Sequence, residues 1–171
     1  NENVIYVDGN HTIGIGTKVS KVEIKDNIIN AFASNVGDNP VWDSMKTDNC
    51  GIKVISGNAI ITDNKIASNA IGINADSTND IVKIIDNDIV VNANSGKVNN
   101  YAIVAEEVDL TIINNNVTFN GMVDNQFVII GYDDWGYPIY DSSNNTRSYA
   151  VFVKNSDIVI RDNDFDIAIP T

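Results

Sequence analysis

Two polar stretches of the sequence, at 34–49 and 124–148, carry the residue types that most often bind ligands. Both tryptophans and three of the six tyrosines lie in them, beside several aspartates. Aromatic rings stack on sugars and fill protein interfaces, so these residues predict a ligand-binding surface. The alternative is that the same aromatics only pack within their own loops. The candidate binding residues are Trp42, Asp43, Tyr132, Asp133, Asp134, Trp135, Tyr137 and Tyr140.

Residues for catalysis are sparse. Hydrolysis or elimination on a polysaccharide requires clustered carboxylates with a basic partner. The only histidine, His11, and the arginines Arg147 and Arg161 stand apart from the Asp133–Asp134 pair in the sequence. We therefore predict no catalytic residues and no enzyme activity, with a carbohydrate-active enzyme as the low-probability alternative.

Calcium is the one ion that the composition favours, because oxygen ligands are frequent in both polar stretches. No EF-hand loop and no calcium-binding nonapeptide repeat occurs in the sequence. We predict no metal site and no cofactor, with calcium as a weak alternative.

The charge balance excludes two classes of partner. The chain has 11 basic and 23 acidic residues, a net charge of −12, so its field repels phosphate backbones and anionic membrane surfaces. No run of 18 apolar residues occurs, so we expect no membrane insertion. The single Cys50 is expected to be a small buried hydrophobe.

An octapeptide centred on asparagine recurs five times in the chain, for example as "IIDNDIVV" at 84–91. Apolar residues recur at every second position on both sides of each asparagine, with Ser68 as the one exception. Alternation of period two predicts two strands, each with one buried face, joined by a very tight bend. The central residues are Asn27, Asn64, Asn87, Asn115 and Asn163.

A second apolar element precedes each octapeptide, as "TIGI", "GIKV", "AIGI", "AIVA" and "AVFV". Its first inward residues are predicted to be Ile13, Ile52, Ile71, Ile103 and Val151. A unit this short cannot bury its apolar face unless it stacks on its neighbours. The sequence therefore predicts an all-β, right-handed parallel β-helix of about five coils with three strands each, formed by residues 1–171 as one domain.

The recurring asparagines then acquire a structural role. Equivalent residues of successive coils lie roughly 4.8 Å apart, so their side-chain amides can hydrogen-bond along the stack. We predict a ladder of these five residues, in which each asparagine also takes the left-handed conformation of a sharp corner.

These motifs resemble known families. The "IxDNxI" corners and the "AIGI" and "AVFV" strands are similar to the repeats of β-helical polysaccharide-processing enzymes and surface adhesins. The bias towards Asn, Ile and Asp most resembles the adhesin-like surface proteins of methanogenic archaea, over roughly residues 11 to 169. The resemblance implies an extracellular protein associated with the cell surface or cell wall, of which this chain is a fragment.

Function is expected where residues interrupt the repeat. Insertion loops are predicted at about 30–49, 92–100 and 120–148, all at one corner, and "FVIIGYDDWGYPIY" is predicted to form a β-hairpin. We interpret the chain as a non-catalytic adhesin segment whose loops bind a glycan or protein of a host or neighbouring cell. The alternative from another class is a purely structural stalk.

Overall fold

Every regular element among the described residues is a β-strand, as the sequence predicted. The computed structural model describes residues 3–9, 12–34, 49–93, 100–121, 128–132, 138–141 and 148–168. The strands are β1 (Asn3–Gly9), β2 (Ile13–Lys25), β3 (Asn27–Ala33), β4 (Cys50–Thr62), β5 (Lys65–Ser68), β6 (Ile71–Ile85), β7 (Asp88–Asn92), β8 (Asn100–Ile113), β9 (Asn116–Asn120), β10 (Val128–Tyr132), β11 (Pro138–Asp141), β12 (Ser148–Lys154), β13 (Ile158–Arg161) and β14 (Asp164–Ala168).

Twelve of these strands form two parallel sheets. The short-strand sheet has the order β1-β3-β5-β7-β9-β14, and the long-strand sheet has the order β12-β8-β6-β4-β2 with β13 also paired to β8. Each of the first four repeats thus contributes once to each sheet, and the last repeat contributes β12 and β13 to the long-strand sheet and β14 to the short-strand sheet. The remaining strands, β10 and β11, form an antiparallel pair with an irregularity between Ile129 and Gly131, which confirms the predicted hairpin at the level of the backbone.

The core lies between the two sheets. In the first four repeats it includes the apolar residues three positions before and two positions after the recurring asparagine, and these are almost completely buried. Burying an isoleucine or valine side chain stabilises a fold by about 1.5–3 kcal/mol. These stacked columns therefore hold the sheets together: Ile24, Ile61, Ile84 and Ile112 from the long-strand sheet, and Ile29, Ile66, Ile89 and Val117 from the short-strand sheet.

The three strands predicted for each unit are reduced to two in four repeats. There the first two predicted strands run as one long strand with a register shift inside it, and only the last repeat separates them into β12 and β13. In the second and fourth repeats a single residue with positive φ bends the long strand, Gly57 (φ 93) and Glu107 (φ 57), and in the last repeat Asn155 (φ 51) directly follows β12. A one-residue kink turns the chain without the loop that would end a strand.

The inward residues predicted for the first and third repeats were wrong by two positions. The strand register aligns Ile15 with Ile52 and Ile52 with Ile73, so Ile13 and Ile71 are not the partners of Ile52. Ile13 and Ile71 instead pair with Cys50 in a second apolar cluster outside the main core. Apolar residues at both i and i+2 fit either register, which is why the pattern misled the prediction.

The first predicted insertion also began too early. Residues Asn30 to Ala33 belong to β3, where they pair with Tyr6 to Gly9 of β1. The corrected insertions follow β3, β7 and β9 and end at β4, β8 and β12. The third repeat has a further irregularity between Asp76 and Asp80, at the kink, so extra residues are not confined to a single corner.

Candidate functional site

A ladder of buried asparagines fixes the edge shared by the two sheets. Each side chain donates from Nδ2 to Oδ1 of the asparagine in the next repeat, at 2.9 Å for Asn27 to Asn64 and 3.0 Å for Asn64 to Asn87. The series continues at 3.0 Å to Asn115 and at 2.9 Å from there to Asn163. The predicted hydrogen bonding between successive asparagines is confirmed.

The ladder has a sixth member that the sequence prediction missed. Asn3 donates from Nδ2 to Oδ1 of Asn27 at 3.1 Å, and β1 pairs with β3 in the matching register. The signal was present in "NVIYV", where Ile5 and Val7 stand two and four residues after Asn3. It was overlooked because the half of the motif that precedes the asparagine is absent there.

The left-handed corner residue is not the ladder asparagine, contrary to the prediction. Positive φ values of 55–59° occur at the residue before it, at Asp26, Asp63, Asp86, Asn114 and Asp162. Asp and Asn tolerate this conformation better than other residues with a Cβ. The division of roles leaves the asparagine free to point inward while its neighbour turns the chain.

The three insertions leave and rejoin the sheets at stacked positions. Asn92 at the start of the second insertion pairs with Asn120 at the start of the third, and β3, which precedes the first insertion, joins the same stack through β5 and β7. At the returning ends Cys50 pairs with Ile71, Ile71 with Tyr101, and Tyr101 with Tyr149. The bases of the insertions therefore lie above one another along one edge of the molecule.

At the two ends of the first insertion, asparagine side chains form hydrogen bonds with backbone groups of neighbouring repeats. Asn69 accepts a hydrogen bond from the Ala33 N–H at 2.9 Å and donates to the Ala33 carbonyl at 2.8 Å. On the returning side, Asn49 Oδ1 accepts from the Thr12 N–H at 3.1 Å. Both ends of this insertion are thus fixed to neighbouring repeats, as binding segments on rigid scaffolds are.

An aromatic cluster lies where the second and third insertions return. The rings of Tyr101 and Tyr149 are stacked with centroids 5.9 Å apart and an interplanar angle of 6°, and Phe152 packs on both at 5.7 and 5.2 Å. Tyr101 is buried, whereas Tyr149 and Phe152 are half-buried. The cluster packs with Cys50, which is buried as predicted.

Of the eight predicted binding residues, the structure describes the backbone of two. Tyr132 is the last residue of β10, opposite Pro138, and Tyr140 in β11 is opposite Ile129. The other six lie outside the described residues: Trp42, Asp43, Asp133, Asp134, Trp135 and Tyr137. Their role as ligand contacts stays a prediction.

Glu107, Asp109 and Asp157 border a pocket beside the kink of the last two repeats. Ser156 at its wall accepts a hydrogen bond from the Val108 N–H at 3.1 Å. Within the described ranges, no three His, Cys, Asp or Glu side chains are placed to hold a metal ion. In the same ranges no helix is long and apolar enough to cross a membrane.

Comparison with protein families, with curated proteins and with solved structures finds no match to this chain. The resemblance to methanogen surface proteins therefore stays a prediction.

Proposed function

We propose that the chain is a right-handed parallel β-helix of about five coils and serves as a non-catalytic binding module. In this proposal it is a segment of an extracellular surface protein, and its insertions bind a glycan or a protein of a host or neighbouring cell. The observation that carries the proposal is the stacking of the insertion bases, because segments that leave a rigid sheet at paired positions share one side of the molecule.

The composition of the insertions supports a binding module rather than a structural stalk. The segment at 122–147 holds Trp135 and three tyrosines, and the segment at 35–48 holds Trp42. A stalk that only separates other parts of a protein needs no inserted aromatic residues, and the tight connection from Ser68 to Ile71 demonstrates that the fold closes without them. Trp and Tyr are the residues most enriched at binding surfaces.

The test deletes the second and the third insertion separately, without disturbing the ladder. In the tight connection from β5 to β6, Ala70 is followed directly by Ile71. At the third insertion, the residues that align with Ala70 and Ile71 are Gly121 and Tyr149. Deletion of residues 122–148 joins Gly121 to Tyr149 and so reproduces the tight connection between Ala70 and Ile71. Deletion of 94–100 joins Ala93 to Tyr101 in the same way and removes no tryptophan, tyrosine or phenylalanine, so it is the matched control.

The readout is binding of the purified chain to an array of immobilised microbial and plant polysaccharides, and to intact cells for a protein partner. We expect the parent chain to bind, the 122–148 deletion to lose binding, and the 94–100 deletion to retain it. Undiminished binding after removal of 122–148, or no binding by the parent chain, contradicts the proposal and favours the stalk. Turnover of polyuronates or β-glucans with divalent metal present would favour the enzyme instead.

A further inference from the structure

The described basic residues are concentrated on one of the two sheets. Only Lys65 lies in the short-strand sheet, whose strands also carry four aspartates. In a chain with a net charge of −12, the long-strand sheet is therefore the one that repels an acidic partner less. The basic residues of the long-strand sheet are Lys18, Lys21, Lys25, Lys53, Lys83, Lys154 and Arg161.

A small groove lies on the outer face of the long-strand sheet, across its first three repeats. Side chains of β6 alternate there between the core and the outer face, because Val82 is fully buried while Ile81 is 45% exposed and Lys83 is exposed. Ile60 and Ile81 form the aliphatic centre of the groove, and a lysine stands at each end. The residues that line it are Lys21, Asn58, Ala59, Ile60, Ile81 and Lys83.

The size and lining of this groove favour a side chain of a larger partner. Its volume is about 140 Å³, whereas a typical small-molecule site has roughly 300–1,000 Å³. No aromatic ring lines it, so it offers no platform on which a sugar could stack. Asn58 Oδ1 accepts from the Ile81 N–H at 2.8 Å, which fixes one wall before a partner arrives. An aliphatic side chain of a peptide fits these features better than a glycan does.

The two lysines of the groove are not engaged by the described part of the chain. Lys25, in the same strand as Lys21, forms an ion pair with Asp63 at 3.5 Å. Within the described ranges, Lys21 and Lys83 form neither an ion pair nor a side-chain hydrogen bond, and both are exposed. Their ammonium groups are therefore available to the carboxylates of a partner.

The strand register sets the distance between these lysines. Lys21 aligns with Asn58 in the next strand. Two residues further along that strand, Ile60 aligns with Lys83. With strands about 4.8 Å apart and a rise of about 3.3 Å per residue, the two lysine Cα atoms are roughly 12 Å apart. An extended peptide spans about 13 Å between residues i and i+4, and its residue i+2 faces the same side. Acidic residues at i and i+4 can thus reach both lysines while residue i+2 enters the groove.

Acidic residues of the chain restrict the direction in which such a peptide can bind. Glu23 stands beside Ile60, and Asp109 stands beside Ile81, each in the adjacent strand. Both are exposed on the outer face. A peptide that crossed the groove from Glu23 to Asp109 would bring like charges together, so only the path from one lysine to the other suits an acidic ligand.

We propose that this groove binds an extended acidic peptide of a partner protein. A bulky aliphatic side chain of the peptide packs between Ile60 and Ile81, and acidic residues two positions before and after it pair with Lys21 and Lys83. The peptide lies on the face of the sheet and adds no strand to its edge. No residue of the groove belongs to an insertion, so the proposal is independent of what the insertions bind.

The probe is a blocked synthetic peptide of serine and threonine that carries leucine at its centre and a glutamate two positions before and two positions after it. Threonine favours the extended conformation. In one control peptide serine replaces the leucine, and in a second glutamine replaces both glutamates. The first control removes the aliphatic anchor, and the second removes the charges without changing the length of the side chains.

Five variants of the full chain test the groove. Lys21→Ala and Lys83→Ala each remove one end, and Lys65→Ala is their matched control, because Lys65 is an exposed strand lysine without an ion pair among the described residues. Ile81→Ser removes part of the aliphatic centre. Its control is Ile55→Ser, because Ile55 is 42% exposed, compared with 45% for Ile81, and does not line the groove. All five positions are exposed, so the thermal midpoints should stay close to that of the parent chain.

NMR titration of the isotope-labelled full chain in about 0.05 M salt measures the binding. We expect the amide signals of Asn58, Ile60 and Ile81 to shift and to saturate below roughly 2 mM peptide. Lys21→Ala and Lys83→Ala should each weaken binding about threefold or more, and Ile81→Ser about fivefold or more. Lys65→Ala and Ile55→Ser should stay within about twofold of the parent chain.

Three outcomes overturn the proposal. The first is the absence of a saturable shift, and the second is equal binding of either control peptide. The third is equal weakening by Lys65→Ala and Lys83→Ala, which would mean that the peptide responds to net charge alone. Polygalacturonate is titrated in parallel, and shifts at the same three amides with the polysaccharide but not with the peptide would assign the groove to a glycan instead. Loss or retention of glycan binding at the insertions leaves these readouts unchanged.

Discussion

Asn87 Oδ1 receives two hydrogen bonds from Asn64, one from its backbone N–H at 3.0 Å and one from its side-chain Nδ2 at 3.0 Å. One acceptor atom therefore satisfies two buried donors of the neighbouring repeat. Asn87 in turn donates to the carbonyls of Ile61 and Ile85, both at 2.9 Å. An aspartate could accept as Asn87 does but could not donate, which explains why the position requires an amide.

Asn87→Ala is expected to lower the free energy of unfolding by about 2–5 kcal/mol, because it removes the acceptor of the buried Asn64 N–H and the side-chain donor to the carbonyls of Ile61 and Ile85. Urea denaturation followed by circular dichroism measures the change. The matched control is Asn92→Ala, since Asn92 Oδ1 accepts from Asn120 Nδ2 on the exposed outer surface at 2.7 Å. It should cost less than about 0.5 kcal/mol. Equal losses for the two variants would contradict a structural role for the buried ladder.

The all-β class and the ladder could be predicted because both depend on local periodicity. Ile24, Ile61, Ile84 and Ile112 stand three residues before the asparagine in successive repeats, and the apolar residues at every second position from them define one inward face. The register of the preceding segment could not be fixed in the same way, because "AIGI" offers Ile71 and Ile73 and both are buried. The first is buried in a second cluster outside the main core, which no sequence period indicates.

The candidate site was predictable in position but not in detail. The spacing between asparagines located the insertions, since extra residues lengthen it whatever their conformation. The anchoring role of Asn69 was not predicted, because its two hydrogen bonds go to Ala33 in another repeat, 36 residues away in sequence. An amide that substitutes for a strand partner has no local signature.

Because Asp86, and not Asp88, is assigned as the left-handed corner residue, the two aspartates should differ in how much a valine substitution lowers stability. Asp86 has φ of 55°, so Asp86→Val should destabilise the chain by about 1–2 kcal/mol, because a β-branched residue is strained in the left-handed region. Asp86→Gly should be tolerated, since glycine adopts positive φ freely. The control is Asp88→Val, at an exposed position inside β7 where valine suits a strand. If Asp88→Val is the more damaging of the two valine variants in urea denaturation, the corner is assigned wrongly.

Gly51 packs against the short-strand sheet, and a side chain there has no room. A Cβ at Gly51 would lie 2.4 Å from Ile66 Cγ2 and 2.8 Å from the Gly72 carbonyl oxygen. Gly51→Ala should therefore lower the thermal midpoint and cost about 1–3 kcal/mol through overpacking. Gly16→Ala is the control, because its nearest contact would be 3.5 Å away, at Ile13 Cγ2. Its midpoint should match that of the parent chain within error, and a larger loss at Gly16 would exclude overpacking as the cause.

Asn69 should control the base of the first insertion separately from global stability. Asn69→Ala removes the two hydrogen bonds that hold the N–H and carbonyl of Ala33, so the Ala33 amide should exchange with deuterium about tenfold or more faster. The neighbouring Ser68→Ala is the control, because Ser68 Oγ accepts from the Ala70 N–H at 3.2 Å and does not contact Ala33 in any described hydrogen bond. Hydrogen exchange read by NMR at Ala33 and at buried core amides such as Ile89 distinguishes the two effects. We expect Ala33 to lose protection only in Asn69→Ala, while Ile89 keeps it in both variants. Loss of protection at Ile89 to the same degree as at Ala33 would mean that Asn69 stabilises the whole stack rather than anchoring the insertion.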